Sequence, residues 1–202
     1  MADRGDSGGF GEDACARLHS LFDAAAQTGP ISAAQPDAAI VARLLEAAEA
    51  GLAPGARVPW RVLPVDGAQA RERLIWNFEV CNADALAHRH PRVHRAMAEH
   101  TALRRTPVQR AVFAEPEAVP TRVTDVAVDA PVRETAAAAL TQLRLAARAA
   151  GLVAVWITGL DADALRHALN VPTACPFVGH VCLGYPAGPG AVTATKAHHD
   201  DV

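Results

Sequence analysis

The stretch LAARAAGLVAVWITGLDADALRHALNVPTACPFVGHVCLGYP, from Leu145 to Pro186, decides the fold of this 202-residue chain. Its pattern predicts the end of a helix, a buried strand over Val153–Thr158, a short helix capped by Asp161, and a second buried strand over Phe177–Leu183. The helix that leads into it is the strongest of the chain, because apolar and small side chains recur at helical spacing over Thr135–Ala150. This order of elements indicates a layered protein of helices and sheet.

The sequence before this stretch predicts further helices and strands. Helices are expected over Cys15–Ala26, over Pro36–Gly51 with Asp37 as N-cap, and over Ala68–Asn82, and strands over Val58–Val65 and Thr121–Val128. The segment Ala83–Pro120 is rich in histidine and arginine and poor in strand signals. It therefore predicts one or two surface helices followed by a loop.

The composition narrows the class of protein. A net charge of −3 gives no reason to expect nucleic acid or an anionic membrane as partner, and no apolar run approaches the roughly 20 residues that span a bilayer. The polar opening MADRGDSGGFGED lacks the apolar core of a signal peptide. We therefore expect a cytoplasmic protein with a disordered leader over residues 1–13, one domain over residues 14–187 and a polar tail over residues 188–202.

The four cysteines, Cys15, Cys81, Cys175 and Cys182, are widely scattered. No two are spaced as in a zinc site or a redox motif. The pattern favours small buried thiols in a reducing compartment.

Histidines crowd the segment AHRHPRVHRAMAEH, which ends at His100. His90 and His94 would share one face of a helix, a spacing that can bind a metal. Pro91 interrupts that helix, however, and no carboxylate completes the set, so we expect no metal site. The basic stretch Arg89–Arg110 is interpreted as a solvated segment that could attract an anionic ligand or an acidic partner surface.

Three blocks of the chain resemble the nitroreductase superfamily and, within it, the dimethylbenzimidazole synthase branch. They are PDAAIVARLLEAAEAG (Pro36–Gly51), GARVPWRVLPV (Gly55–Val65) and the C-terminal block from Leu140 to Pro186. The resemblance implies an α+β fold with a mixed sheet flanked by helices, and a dimer-forming surface on the helix Thr135–Ala150. It also implies FMN in a cleft between two subunits, with NAD(P)H as the electron donor.

The positions that would hold FMN depart from the family pattern. The family carries an arginine-rich motif between its first two helices, since a guanidinium grips phosphate oxygens in pairs, whereas Ala26–Ala34 contains no basic residue. The family's Gln-Pro-Trp keeps its Trp60 here but has Val58 in place of the glutamine. Arg57 beside it is either a replacement donor to the flavin ring or an ordinary arginine at the start of a strand.

The strand after the long helix also departs from the family pattern at positions that would border FMN. Relatives run Gly-Leu-Gly-x-Gly-Trp, whereas Gly151–Trp156 reads GLVAVW. Val153 and Val155 project to one side of a strand and add bulk where a flavin ring would approach the backbone. By the resemblance, Trp60 and the backbone of Ala154, Val155 and Trp156 would border that ring.

Two more residues are candidates through their place in the chain. Thr135 stands near the position where relatives carry a hydroxyl residue close to the flavin, and a helix N-cap explains it equally well. Lys196 is the remaining basic residue of the C-terminal tail, where relatives often carry further cations.

Two functions remain open at this point. The first is an FMN-dependent or flavin-modifying oxidoreductase with a remodelled site at a dimer interface, acting on a small molecule. The second is a flavin-free, non-catalytic relative with a degenerate site, acting as partner subunit of an intact paralogue or binding another ligand. The residue pattern assigns no catalytic acid or base.

Overall fold

The computed structural model describes residues 11–26, 30–50, 60–87, 90–116 and 132–187. The described helices are α1 Glu12–Ala26, α2 Ala38–Ala50, α3 Ala68–Cys81, α4 Ala83–Leu86, α5 Val93–Arg105, α6 Val132–Ala149 and α7 Ala162–Ala168. The described strands are β1 Trp60–Pro64, β2 Val108–Ala114, β3 Val153–Ile157 and β4 Phe177–Gly184. No helix in these ranges is long and apolar enough to cross a membrane.

The four strands form one sheet in the order β1-β2-β4-β3. All three pairings among them are antiparallel, with Trp60 opposite Ala114 and Trp156 opposite Val181. Within the described residues β1 and β3 are therefore the edge strands. The predicted α+β fold, a sheet flanked by helices, is confirmed; the parallel strand that a mixed sheet requires does not occur in the described ranges.

Helices cover both faces of the sheet, and the apolar core accordingly has two halves. On one face, α2 and α6 bury an apolar cluster that includes Leu44, Leu140 and Val181. On the other face, α3, α5 and α7 bury a second cluster that includes Leu74 and Leu165. We call these the α6 face and the α3 face.

The strand–helix–strand unit that the sequence placed at the C-terminus is confirmed, as are the helices around it. Asp161 caps α7, since its Oδ1 accepts from the backbone N–H groups of Asp163 at 2.9 Å and Ala164 at 3.1 Å. Asp37 caps α2 in the same way, with Oδ1 accepting from Ala39 N–H at 2.8 Å. A side-chain oxygen at an N-cap satisfies a helix donor that has no partner within the helix.

Three predictions need correction. Helix α6 begins at Val132, so Thr135 lies inside its first turn and is not an N-cap. Cys175 and Cys182 are buried as expected, but Cys15 and Cys81 are exposed, because they lie on the outer sides of α1 and α3. The third correction concerns β2.

The segment Ala83–Pro120 contains a central strand that its sequence did not indicate. Strand β2 pairs with β1 on one side and β4 on the other. Gln109 and Arg110 interrupt its apolar run, which weakened the strand signal. Gln109 is nevertheless fully buried, because its amide Nε2 donates to the carbonyl of Leu103 at 2.6 Å and that of Thr106 at 3.2 Å. A buried amide that is hydrogen-bonded in this way is tolerated in a core.

The connector between α1 and α2 packs at one end of the sheet. Ile31 forms an isolated antiparallel bridge with Pro186, and Ser32 N–H donates to the carbonyl of Tyr185 at 2.8 Å. The connector is thus fixed to the end of β4. The predicted strand Thr121–Val128, residues 1–10 of the leader and the tail from residue 188 lie outside the described residues.

Candidate functional site

A polar cleft of about 410 Å³ opens along the outer edge of β3. It is lined from α5 by Arg95, Ala98 and Glu99, from α6 by Arg144, and from β3 and the residue after it by Val155, Trp156 and Thr158. We call it the β3 cleft. A neighbouring hollow of about 480 Å³ shares Arg95, Glu99 and Thr158 with it and extends to α3 and α4. Clefts of this size are within the range of small-molecule and cofactor sites.

An ion pair on α5 sets the charge of the β3 cleft. Glu99 Oε1 accepts from Arg95 Nε at 2.8 Å, one helical turn away. The Glu99 side chain is only 12% exposed, whereas that of Arg95 is 71% exposed. A carboxylate that is this deeply buried requires a partner. Because Nε of Arg95 serves that purpose, its two terminal nitrogens are left for another acceptor, and Arg144 adds a second cation to the wall.

Trp156 lines the same cleft as this ion pair. Its indole Nε1 donates to the carbonyl of Val178 at 3.2 Å, and the ring covers Gly179. A Cβ at Gly179 would overlap the indole nitrogen, so this position requires glycine while Trp156 keeps its place. Trp156 and Ala154 pack with the cluster on the α6 face.

The two valines of this strand are on the other face. Val153 and Val155 are both buried in the cluster of the α3 face, which confirms that they project to one side. Their bulk contributes to the core, and the edge of Val155 also borders the β3 cleft.

Trp60 is not brought to the β3 cleft. It begins β1, at the opposite edge of the described sheet, and its Nε1 donates to Glu49 Oε1 of α2 at 3.0 Å. Strands β2 and β4 therefore lie between Trp60 and Trp156. Thr135 is half-buried in the first turn of α6 and does not line the cleft either. Arg57 and Lys196 fall outside the described residues.

The connector and Trp60 lie at opposite ends of β4. Ser32 bonds to Tyr185 at one end, while Ala114, the partner of Trp60, donates to the carbonyl of Pro176 at the other. Nine residues of extended chain separate these two carbonyls, or about 30 Å. The two family positions that would contact one flavin are therefore far apart within one chain.

The described part of the connector does not suit a phosphate. Residues 30–37 contain no cation, and the Ser32 hydroxyl accepts from Ala34 N–H at 3.0 Å. Burying a dianion on hydroxyls alone is unfavourable. The cations suited to an anionic group are instead those of the β3 cleft, Arg95 and Arg144.

The histidine-rich segment is divided among separate tasks. His90 Nδ1 accepts from Arg92 N–H at 3.0 Å, His94 is exposed, and His100 pairs with Glu79 at 2.7 Å. No group of three or more metal-ligating side chains occurs in the part of the chain that the structure describes.

Of the residues that line the cleft, the sequence had singled out Val155 and Trp156 as borders of a flavin ring, which stays a prediction, and it had not singled out the charged residues. Arg95 and Glu99 are separated by one helical turn, which is a visible signal for an ion pair on a helix, and Arg95 lies in the basic segment that was expected to attract an anion. Arg144 carried no signal, because only the fold brings α5 and α6, from opposite faces of the sheet, to the same edge strand β3.

Comparison with known proteins adds an independent line of evidence. The sequence model of the nitroreductase family matches residues 32–185. The chain is 35% identical over 159 residues to the 5,6-dimethylbenzimidazole synthase of Rhodospirillum rubrum, covering 74% of this chain and 72% of that protein.

Two solved structures share the fold. Iodotyrosine deiodinase bound to FMN and 3-iodo-L-tyrosine superposes with a TM-score of 0.64 at 21% identity, over 84% of this chain and 91% of that one. A nitroreductase with bound FMN from Desulfitobacterium hafniense gives a TM-score of 0.60 at 16% identity, over 85% of this chain and 91% of that one. The blocks of the sequence that suggested the superfamily therefore suggested it correctly.

Proposed function

The chain belongs to the nitroreductase family, and from this premise we propose that it is an FMN-dependent or flavin-modifying oxidoreductase with a remodelled site at a dimer interface. The observation that carries the proposal is the β3 cleft. It joins Trp156, on the strand where the family borders its flavin, to the cations Arg95 and Arg144.

The residues of the cleft divide the work of holding FMN. Arg95 and Arg144 would bind its anionic or carbonyl oxygens, because guanidinium groups give the strong charge-assisted hydrogen bonds that such oxygens require. Glu99 holds Arg95 in place. Trp156 and Val155 form apolar walls that exclude water, and Thr158 offers a hydroxyl. The cofactor, when bound, supplies hydride transfer, and NAD(P)H is the proposed donor.

A dimer interface is part of the proposal because Trp60 and the β3 cleft lie at opposite edges of the described sheet. A flavin that contacts both would take one from each of two chains. The relative from R. rubrum is named as a synthase of 5,6-dimethylbenzimidazole, which is why a flavin-modifying reaction stands beside simple reduction of a small molecule.

Titration of the purified protein with FMN, followed by flavin fluorescence, tests the proposal. We expect quenching that saturates, and a loss of affinity of about tenfold for Arg95→Ala and for Arg144→Ala, as for a lost charge-assisted bond. Arg43→Ala, an exposed arginine on α2, is the matched control and should bind like the wild type. Equal affinity in all four proteins would remove FMN from the β3 cleft.

The oligomeric state is measured on the same samples by sedimentation. A dimer that dissociates together with the bound flavin would support a shared site. A monomer that binds FMN as tightly as the dimer would refute the interface, while leaving the cleft itself intact.

The cation-free connector favours a second candidate function. In this alternative the protein is a flavin-free subunit that associates with an intact paralogue or binds a different ligand. Absence of FMN binding by the protein alone, together with formation of a mixed dimer with an intact paralogue, would establish it. A saturable FMN complex of the protein alone would exclude it.

A further inference from the structure

A third cavity, of about 400 Å³, lies on the α3 face, away from the β3 cleft. It opens between α3 and α7, and its lining is Val65, Ala70, Arg73, Leu74, Trp76, Asn77, Ala164, Leu165, His167, Ala168 and Leu169. No residue of this lining also lines the β3 cleft. We call it the α3–α7 groove.

The floor of the groove is apolar. Leu74 and Leu165 are buried at the bottom of the groove. The small side chains of Ala164 and Ala168 form its shallow wall on the α7 side. Asn77 is the polar residue of the floor, and both polar atoms of its amide bond to Asp161: Nδ2 donates to the carbonyl at 3.1 Å, and Oδ1 accepts from the backbone N–H at 2.8 Å. The body of a ligand that fills this groove is therefore apolar.

The rim of the groove carries hydrogen-bond donors and no acid. Arg73 and His167 are both exposed, and neither side chain has an ion-pair or hydrogen-bond partner in the part of the chain that the structure describes. Trp76 is 66% exposed and offers an aromatic surface and an indole N–H at the same rim. No aspartate or glutamate is part of the lining. Tryptophan is enriched at binding surfaces, because it combines a large apolar ring with an N–H donor.

From this arrangement we propose that the α3–α7 groove binds a small aromatic carboxylate, separately from the flavin site. The ring would lie on the apolar floor against Trp76, and the carboxylate would face Arg73 and His167. An arginine recognises a carboxylate through two parallel N–H bonds, and the groove has the volume and mixed lining of small-molecule sites.

Calorimetric titration with 1-naphthoate and with its neutral counterpart 1-naphthamide tests the proposal. Wild-type protein should bind the acid about tenfold more tightly than the amide, since a charge-assisted hydrogen bond is stronger than one between neutral groups. Arg73→Ala and His167→Ala should each reduce this preference while leaving the amide's affinity in place. An acid that binds no better than the amide, or does not bind at all, would overturn the proposal.

A groove-filling variant locates the binding. Ala168→Phe places a ring on the exposed side of α7 that borders the groove, and should abolish binding of both compounds. Ala42→Phe, at an exposed position of α2 on the other face of the sheet, is the matched control and should bind both. Both variants should titrate with FMN like the wild type. Retention of naphthoate binding in Ala168→Phe would place the ligand elsewhere and refute the groove.

Discussion

The two faces of the sheet are buried by different means. On the α6 face, the buried sides of α2 and α6 consist largely of leucine and alanine. Four of these alanines have no solvent exposure: Ala48, Ala136, Ala139 and Ala147. On the α3 face the sheet presents polar side chains to the interior, including Gln109 and His180, which are also fully buried. The first face is buried by apolar packing alone, whereas the second combines an apolar cluster with buried polar side chains that are only partly hydrogen-bonded.

Hydrogen bonds fix the chemical state of the polar pair. Because the amide nitrogen of Gln109 donates to two carbonyls, its Oε1 faces His180, with 3.1 Å between Oε1 and Nε2. Nε2 of His180 then donates to this oxygen, and Nδ1 is left buried without a hydrogen-bond partner among the described residues. Burial, reinforced by the nearby charges of Arg71 and Arg110, lowers the pKa of His180 from 6.5 to about 3. Within the described residues, this histidine places a pH dependence of folding on the α3 face.

The largest expected effect is on the face that depends on packing. Leu140→Ala removes a fully buried side chain of α6 and leaves a cavity under tightly packed helices. We expect the free energy of unfolding to fall by about 3 kcal/mol, measured by urea denaturation, with no change in how stability varies with pH. A pH dependence that differs from that of the wild type would show that the two faces are not independent.

The next effect is confined to the polar face. Between the unfolded pKa of 6.5 and the folded pKa of about 3, the unfolded chain binds a proton at His180 that the folded protein does not bind. Stability is therefore complete above about pH 6.5 and declines as the pH falls through this window, by about 2 kcal/mol at about pH 5.

Urea denaturation at several pH values measures this decline, with His180→Gln as the comparison. The variant has no proton to gain, so its stability should vary less between about pH 7.5 and about pH 5, whatever its absolute value. An unchanged slope in His180→Gln would mean that other groups cause the acid sensitivity.

The smallest effect compares one helix cap from each face. Asp161→Ala removes an oxygen that accepts from two N–H groups of α7, whereas Asp37→Ala removes one that accepts from a single N–H group of α2. Each substitution should cost about 1 kcal/mol, with the larger loss for Asp161. Thermal unfolding of the two variants side by side measures the difference, and a larger loss for Asp37 would contradict the hydrogen-bond count as its cause.

Sequence reasoning succeeded where local pattern and tertiary environment agree. The periodicity of α6, the cap Asp161 and the apolar strands β3 and β4 are each visible within a few residues, and all were confirmed. Strand β2 was missed because a glutamine is not expected in a buried strand. The groups that hydrogen-bond to Gln109 come from α5 and β4, and a short segment of sequence does not show that they will lie beside it.

The same limit of local sequence applies to the residues of the β3 cleft. Trp156 was identified through its family position, and the structure gives it a place in the β3 cleft. The charged residues beside it in that cleft come from α5 and α6, which only the folded chain brings to β3. Arg144 is the clearest case, since nothing in the sequence of α6 distinguishes it from an ordinary helix arginine.

Gln109 also affects the register in which β2 pairs with its neighbouring strands. Successive side chains of a strand alternate between its faces, so a shift of β2 by one residue would carry Gln109 into the alanine-rich face and leave the two carbonyls and His180 without their partner. Such a misaligned sheet would leave several buried polar groups without hydrogen bonds, at a cost of about 1–3 kcal/mol each. A single amide near the start of β2 thus makes the adjacent, misaligned registers less stable than the native one.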